Sequence, residues 1–293
     1  MILAHHPSEL EPAVRTIAIG TFDGVHRGHR AVIEAAVAGE RRSTVVTFDP
    51  HPRKVLGYDV ELLSSVQRRL DLIRKVGPDE TLVVEFTLEL SQLSPNEFVN
   101  EVIRPLGVEA IIVGANFRFG HARQGDVDLL QSLGFDVQPV PLVGGVSSTQ
   151  ARALIHGGDV AQTAKLLGRP FELEGVVVAG DRRGGTLGFP TANLAVAADS
   201  IVPAYGIYAG STLGHRAAMS IGINPHYGGT ERRIEVHLLD FNADLYGEHL
   251  VVEVWSRLRG ELAFESETAL VTQIEQDVAD ARSASRPAAA RPQ

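Results

Sequence analysis

The stretch Gly20-Thr21-Phe22-Asp23-Gly24-Val25-His26-Arg27-Gly28-His29 constrains this chain more than any other. The apolar run 16–19 leads into it, and a helical pattern (Val32, Ile33, Ala36, Val37) leads out. Strand, glycine-rich turn and helix in that order form the corner at which an open α/β sheet holds a nucleotide. Backbone N–H groups and the dipole at a helix N-terminus favour anions there. Gly28 removes the side chain that would keep a phosphate away, and His26 and His29 can donate to phosphate oxygens from two sides. Such a site suits stabilisation of charge on a pentacovalent phosphorus during nucleotidyl transfer. The competing reading is a plain turn with two surface histidines, and the placement between strand and helix favours the functional one.

The alternation continues along the first half. Thr44-Val45-Val46-Thr47-Phe48 reads as a second buried strand, stopped by Asp49-Pro50-His51-Pro52. Residues 62–76 carry helical spacing (Leu63, Val66, Leu70, Ile73) and end at Gly77-Pro78. A third strand lies at 82–84, and Ser94-Pro95-Asn96-Glu97 opens a helix with a capping box and proline at its first position. Strands at 110–114 and 135–140 complete a parallel sheet wound with right-handed crossovers. The strand at 110–114 runs into Ala115-Asn116-Phe117-Arg118-Phe119-Gly120-His121, the composition of a ligand loop. Its aromatic faces can stack on rings and its amide can bind a base or ribose edge; equally, both phenylalanines can be core and Arg118 a surface charge. Ser147-Ser148-Thr149-Gln150-Ala151-Arg152 begins a short helix closed by Gly157-Gly158. One hydroxyl serves as the N-cap, but three hydroxyls and an arginine one turn on also make a second anion cradle.

After a further helix at 159–167 the character changes to short β-type runs and turns, so we divide the chain into 1–168 and 169–293. No Gly-x-x-x-x-Gly-Lys-Ser/Thr occurs, so any kinase in the second half is not a P-loop enzyme. What occurs instead is the glycine-rich basic loop Gly180-Asp181-Arg182-Arg183-Gly184-Gly185-Thr186-Leu187-Gly188, feeding Phe189-Pro190-Thr191-Ala192-Asn193. If 191–194 is extended, Thr191 and Asn193 share one face, and a hydroxyl beside an amide oxygen suits Mg²⁺ held with ATP phosphates. In 233–239 Ile234, Val236 and Leu238 alternate with Glu235 and His237, giving one core face and one open face. A closing helix at 265–282 carries Leu270, Ile274 and Val278 on one side, and the Ser-, Pro- and Ala-rich end from about 283 reads as a disordered tail. The formal charge of −9 leaves no footprint for nucleic acid, and the absence of cysteine excludes disulfides and thiolate sites. Residues 1–15 lack the apolar core of a signal peptide and no run reaches membrane-spanning length, so the expected location is the cytoplasm.

Gly20 to His29 resembles the nucleotidyltransferase signature of the prokaryotic bifunctional riboflavin kinase/FMN adenylyltransferases, and the resemblance extends to about Arg282. It implies a Rossmann-like nucleotidyltransferase domain followed by an antiparallel β-barrel riboflavin kinase domain with a terminal helix. It implies Mg²⁺ as cofactor, with ATP, riboflavin, FMN and FAD as substrates and products. His26 and His29 become catalytic, with Gly20, Phe22, Asp23, Gly28, Asn116, Ser148, Thr149 and Arg152 around ATP; the last three match the family's Ser-Ser-Thr-x-x-Arg segment. In the second domain Glu235 becomes the general base for the ribityl 5′-hydroxyl. Thr191 and Asn193 of the Pro-Thr-Ala-Asn motif become the metal ligands, and Gly180, Arg183, Gly184, Gly188 and Pro190 surround the phosphates. The resemblance also sets Phe48 and His51 at the border of the flavin and nucleotide pockets, and the closing helix beside the flavin.

Three departures stand out. The family's loop usually reads Arg-Gly-Arg where this chain has Arg183-Gly184-Gly185, and its Asn-Pro is usually followed by Thr-Phe where this chain has His226-Tyr227. Tyr205 stands where a small acidic residue is common. The expected function is therefore phosphorylation of riboflavin to FMN followed by adenylyl transfer giving FAD and pyrophosphate. The alternative is a monofunctional FMN adenylyltransferase with an impaired, flavin-binding C-terminal module. A non-catalytic sensor conflicts with two intact phosphate cradles. The expected partners are flavins and ATP, with a homo-oligomer compatible with the sequence.

Overall fold

Five consecutive buried residues, Arg15–Ile19, form the second strand of a sheet whose two faces are both covered. The computed structural model describes residues 1–180, 183–223 and 232–288. Twelve strands are described: β1 Ile2–Ala4, β2 Arg15–Ile19, β3 Arg42–Asp49, β4 Glu80–Glu85, β5 Val108–Gly114, β6 Asp136–Val140, β7 Phe171–Val178, β8 Ala192–Ala195, β9 Gly206–Thr212, β10 His215–Ile223, β11 Arg232–Leu238 and β12 His249–Arg259. The α-helices are α1 Arg27–Val37, α2 Pro52–Val55, α3 Val66–Val76, α4 Leu88–Gln92, α5 Pro95–Phe98, α6 Val127–Ser132, α7 Ser148–His156, α8 Val160–Leu167, α9 Arg183–Thr186 and α10 Glu267–Ser283.

The chain forms two compact units, Met1–Ser148 and a second beginning at Thr149. In the first, a parallel six-stranded sheet has the order β1-β4-β3-β2-β5-β6. Alternation along its strands serves two cores. Ile17, Ile19, Val46, Phe48, Ile111 and Val113 face one cluster, which Phe98, Ile103 and Leu130 complete. Ala18, Val45 and Ile112 face the other, against Val32, Ile33 and Ala36 of α1 and Leu72 and Ile73 of α3. The order reverses at β2, which has β3 on one side and β5 on the other, so the carboxyl ends of β2 and β5 flank a topological switch point. Ser94 and Glu97 form the expected capping box.

In the second unit, β10-β11-β8-β7-β12-β9 close into an antiparallel barrel. Strict alternation of buried and part-exposed residues along β7 and β11 reflects a filled interior. The sequence division at 168 differs from the compact-unit division at 148. The reason is packing: α8 buries Val160, Ala164, Leu166 and Leu167, and it lies against β7 and β12 of the barrel.

The structure adds one element to the sequence reading and changes one expectation. Residues 2–4 form a strand, β1, which pairs in parallel with β4. The tail expected to be disordered from about 283 is tied down through its first residues, because α10 runs to Ser283 and Arg286 forms a two-pronged ion pair with Glu253 at 2.7 and 2.6 Å. Among the described residues no helix is long and apolar enough to cross a membrane.

Candidate active sites

The first site grows out of the end of β2. Gly20 follows the strand, and a Cβ there would press on the Phe22 ring at 3.1 Å. Phe22 (φ 52°), Gly24 (φ 74°) and Val25 (φ 38°) all take left-handed backbone conformations, so the turn is held by its surroundings rather than by propensity. Asp23 supplies much of that hold. Its buried carboxylate accepts from the N–H groups of Leu63 at 3.1 Å and Ser64 at 3.3 Å, while Ser64 Oγ accepts from Gly24 N–H at 3.2 Å. Phe22 is buried, and its ring meets His29 edge-on with centroids 5.3 Å apart.

His26 is the N-cap of α1: its Nδ1 accepts from His29 N–H at 3.2 Å. That bond fixes the tautomer, because a nitrogen that accepts leaves the proton on Nε2. The His26 and His29 rings stack at 3.5 Å with planes 15° apart. His29 Nδ1 is enclosed without a hydrogen-bond partner. Burial pushes the His26 imidazole down to about 4. Burial, together with the charges of His26 and Arg69, holds His29 well below the ordinary histidine range. Both rings are therefore neutral at pH 7, and stacking at this distance carries no like-charge penalty. Gly28 makes this packing feasible, since a Cβ there would sit 3.3 Å from His26 Cε1 and Nδ1.

Ser148 Oγ donates to Asp23 O at 3.3 Å, bringing the start of α7 to the turn. Thr149 and Arg152 follow on α7 in the second compact unit. Asn116 lies just past β5, exposed at the carboxyl edge beside β2. The flanking aromatics take the core alternative: Phe119 is buried, Phe117 stacks on it at 5.6 Å, and Arg118 pairs with Asp126 at 2.7 Å. Phe48 is likewise core, and His51 caps α2 through Arg53 N–H.

The second site lies in the barrel, at a cavity of about 380 Å³. Thr191 Oγ1 comes within 3.5 Å of Glu235 Oε2, and Asn193 stands opposite Glu235 in the β8–β11 register. The three side chains thus share the face expected from the period of two, and all three line the cavity. A Cβ at Gly180 would collide with the Asn193 amide, and one at Gly184 would meet Phe189 O and Thr191 Oγ1. Gly184 O accepts from Phe189 N–H at 2.7 Å, which folds the end of the loop back onto α9; Arg183 opens that short helix, and Gly188 follows it with φ +90°. Pro190 O accepts from His237 Nδ1 at 2.8 Å. The cavity's other wall is α10, through Leu270, Ile274 and Val278. Asp181, Arg182 and Asn224 to Tyr227 lie outside the described residues.

Residues 8–150 match the FAD synthetase family and residues 167–285 the riboflavin kinase family. Bifunctional riboflavin kinase/FMN adenylyltransferases from Listeria monocytogenes (35% identical, covering 96% of each chain) and Pseudomonas fluorescens (38% identical, covering 93% of this chain and 94% of the relative) align with almost the whole sequence. The chain belongs to the bifunctional riboflavin kinase/FMN adenylyltransferase family. A crystal structure from Streptococcus pneumoniae described as a macrolide-efflux protein superposes with a TM-score of 0.88 at 30% identity, covering 97% of this chain and 99% of that one. The fold likeness is what that structure contributes.

Within this bifunctional family framework, one residue of the first site had no signal in the sequence. Arg69 sits in the middle of α3, buried, donating to Thr21 O and Phe48 O at 2.9 Å each. It joins the ends of β2 and β3 from below and faces the charges of Asp23 and Asp49, with burial lowering its affinity for its proton. Its helical spacing reads as an ordinary arginine on a polar face, and only the three-dimensional fold turns it inward.

Proposed function

We propose that the two activities of the family are carried by the two sites just described, adenylyl transfer to FMN by the first and riboflavin phosphorylation by the second. The observation that carries the first assignment is the stacked, neutral His26–His29 pair at the N-terminus of α1. In adenylyl transfer an FMN phosphate oxygen forms a bond to the α-phosphorus of ATP. The bond from that phosphorus to the pyrophosphate bridging oxygen breaks, giving FAD and pyrophosphate. His26 donates through Nε2–H, and His29 offers its own Nε2 from the neighbouring ring. Two fixed dipoles beside the helix N-terminus meet charge as it spreads over the phosphoryl oxygens, without reorganising. Gly28 lets the phosphate approach. Ser148, Thr149 and Arg152 take the outer phosphates, an arginine fork suiting them best. Asn116 binds the nucleoside from the neighbouring strand end, while Asp23 and Phe22 hold the turn and the His29 ring.

In the barrel, Glu235 takes the proton from the ribityl 5′-hydroxyl of riboflavin as that oxygen bonds to the γ-phosphorus of a second ATP. The bond to the β–γ bridging oxygen breaks, and FMN and ADP leave. Thr191 and Asn193 are hard oxygen donors on one face beside a carboxylate, and they fit Mg²⁺, which would neutralise phosphate charge when bound. Gly180, Gly184 and Gly188 leave room for the phosphates along the loop, which includes Arg183 and is followed by Pro190. ATP as a common substrate sets this chemistry in the cytoplasm, which cell fractionation with an antibody to the protein would test.

The deciding experiment is a product chromatogram after incubating the purified protein with riboflavin, excess ATP and Mg²⁺. FMN followed by FAD is expected, and Glu235→Ala should convert FMN to FAD while making no FMN. Wild-type protein that leaves riboflavin untouched yet converts added FMN would overturn the barrel assignment. It would then favour an impaired second module.

A further inference from the structure

Helix α10 is held in an unusual way. Leu270, Ile274 and Val278 form one stripe at intervals of four residues, the pattern that ordinarily packs into a core. None of the three is buried; all line the cavity that contains Glu235. Along the 17 residues of the helix only Asp277 and Ala281 are buried. The apolar stripe is thus turned to the cavity, and the helix packs on β9, β10 and β12 with little of its own surface buried.

Polar contacts add to that packing, and the strongest gather at one end. Arg259 of β12 grips Asp277 with two bonds of 2.8 and 2.6 Å. Arg282 grips Asp240 at 2.6 and 2.9 Å. Arg216 of β10 donates to the carbonyls of Ala281, at 3.5 Å, and Ala284, capping the C-terminus of the helix. Just past that terminus, Arg286 grips Glu253 of β12. Glu253 also accepts from Trp255 Nε1 at 2.9 Å, and Arg216 lies over the Trp255 ring at 5.3 Å. Cap, cation–π contact and two-pronged pair thus make one latch that joins the chain after α10 to the barrel wall. The N-terminal half carries the cap from Ser266 to Ala269 N–H, and its apolar residues face the cavity.

We propose that the Arg286–Glu253 latch is a positioning device for riboflavin: by pinning the C-terminal end of α10 it sets the depth of the cavity wall that covers the flavin ring. The proposal rests on the reading that this cavity holds the flavin. At 1.5 Å per residue, the end of α10 at Ser283 lies roughly 20 Å along the helix axis from Leu270, and Arg286 follows it, so Arg286 acts on the ligand only through the helix. A solvent-exposed ion pair contributes little, but this one is bidentate, has a part-buried carboxylate and shares it with an indole N–H. Loss of the latch lets the wall drift outward and weakens contacts to the ring, while the phosphate loop and Glu235, on the opposite wall, keep their places.

The test uses the full chain. Arg286→Ala should raise the KM for riboflavin several-fold while leaving kcat of phosphorylation, the KM for ATP and FAD formation from FMN unchanged. Arg286→Lys should recover part of the loss. Hydrogen exchange over residues 267–276 should be faster in Arg286→Ala without ligand and should slow on adding FMN. A riboflavin KM equal to wild type in Arg286→Ala would overturn the latch, as would a raised KM for both substrates together with a lowered kcat and melting temperature. Ile274→Ala separates the two layers of the argument. If it raises the riboflavin KM and Arg286→Ala does not, the latch alone fails. If neither variant changes it, the cavity assignment fails as well.

Discussion

Neutrality of His26 has a cost that can be measured. The unfolded chain takes up a proton at this ring near the ordinary histidine value of 6.5, whereas the folded protein resists until about 4. Below pH 6.5 the unfolded state therefore binds more protons, and stability falls as pH falls through this window. At 1.36 kcal/mol per unit, His26 alone removes about 3 kcal/mol between pH 6.5 and 4. Urea melts of wild type and His26→Asn across that range should converge towards low pH, the wild type losing stability faster, and an NMR titration of the His26 Cε1–H should show no transition near 6.5. A His26 midpoint near 6.5 would remove the basis for a neutral donor pair. In the barrel, Gly185 gives a second residue-scale expectation. The sequence resemblance leads one to expect arginine here, a Cβ at this position would meet nothing within 4 Å, and the backbone is not left-handed. Gly185→Arg should lower the KM for ATP in the kinase reaction about three- to tenfold, in keeping with a charge-assisted contact to phosphate, and leave adenylyl transfer unchanged.

Among the elements, α1 joins architecture to chemistry. Its second residue is Gly28, and alanine's better helix propensity works against the crowding of the His26 ring by the new Cβ, so Gly28→Ala should change the melting temperature little. It should nonetheless push the His26 ring by a few tenths of an ångström, and adenylyl transfer should fall about tenfold with riboflavin phosphorylation intact. Loss of both activities together would instead point to damage to the fold. This element was legible in the sequence because every signal for it is local: an apolar strand, a glycine turn and a helical stripe. Glu235 with Thr191 and Asn193 was legible in part. A period of two gave the shared face within each strand, but the pairing of β8 with β11 spans more than forty residues and needed the resemblance. Three things were not legible. Strand β1 has only three residues and finds its hydrogen bonds on β4, far along the chain. Arg69 has the spacing of a surface residue and is buried only because two strand ends converge above it. Arg286, after α10, looks like tail composition until Glu253, on a distant strand, supplies its partner.

For the molecule as a whole, the informative fact is that the groups proposed to act on the reacting atoms at each site lie within one unit. The His26–His29 pair depends on β2, α1 and the Asp23–Arg69 surroundings, all in the first compact unit, and Glu235 depends on β8 and β11 in the second. Each unit has its own core, so a point change in one site should leave the other reaction untouched. His26→Ala should make FMN from riboflavin but no FAD, and Glu235→Ala should make FAD from FMN but no FMN. Mixed in equal amounts, the two variants should restore FAD formation from riboflavin, because FMN released by one molecule's barrel can reach the first unit of another. The rate should show a lag while FMN accumulates, and added riboflavin kinase should shorten it. A mixture that makes FMN yet never FAD, with the Glu235→Ala protein alone also failing to convert added FMN while wild type makes FAD from riboflavin, would mean that the first unit accepts its substrate only from the barrel of the same chain.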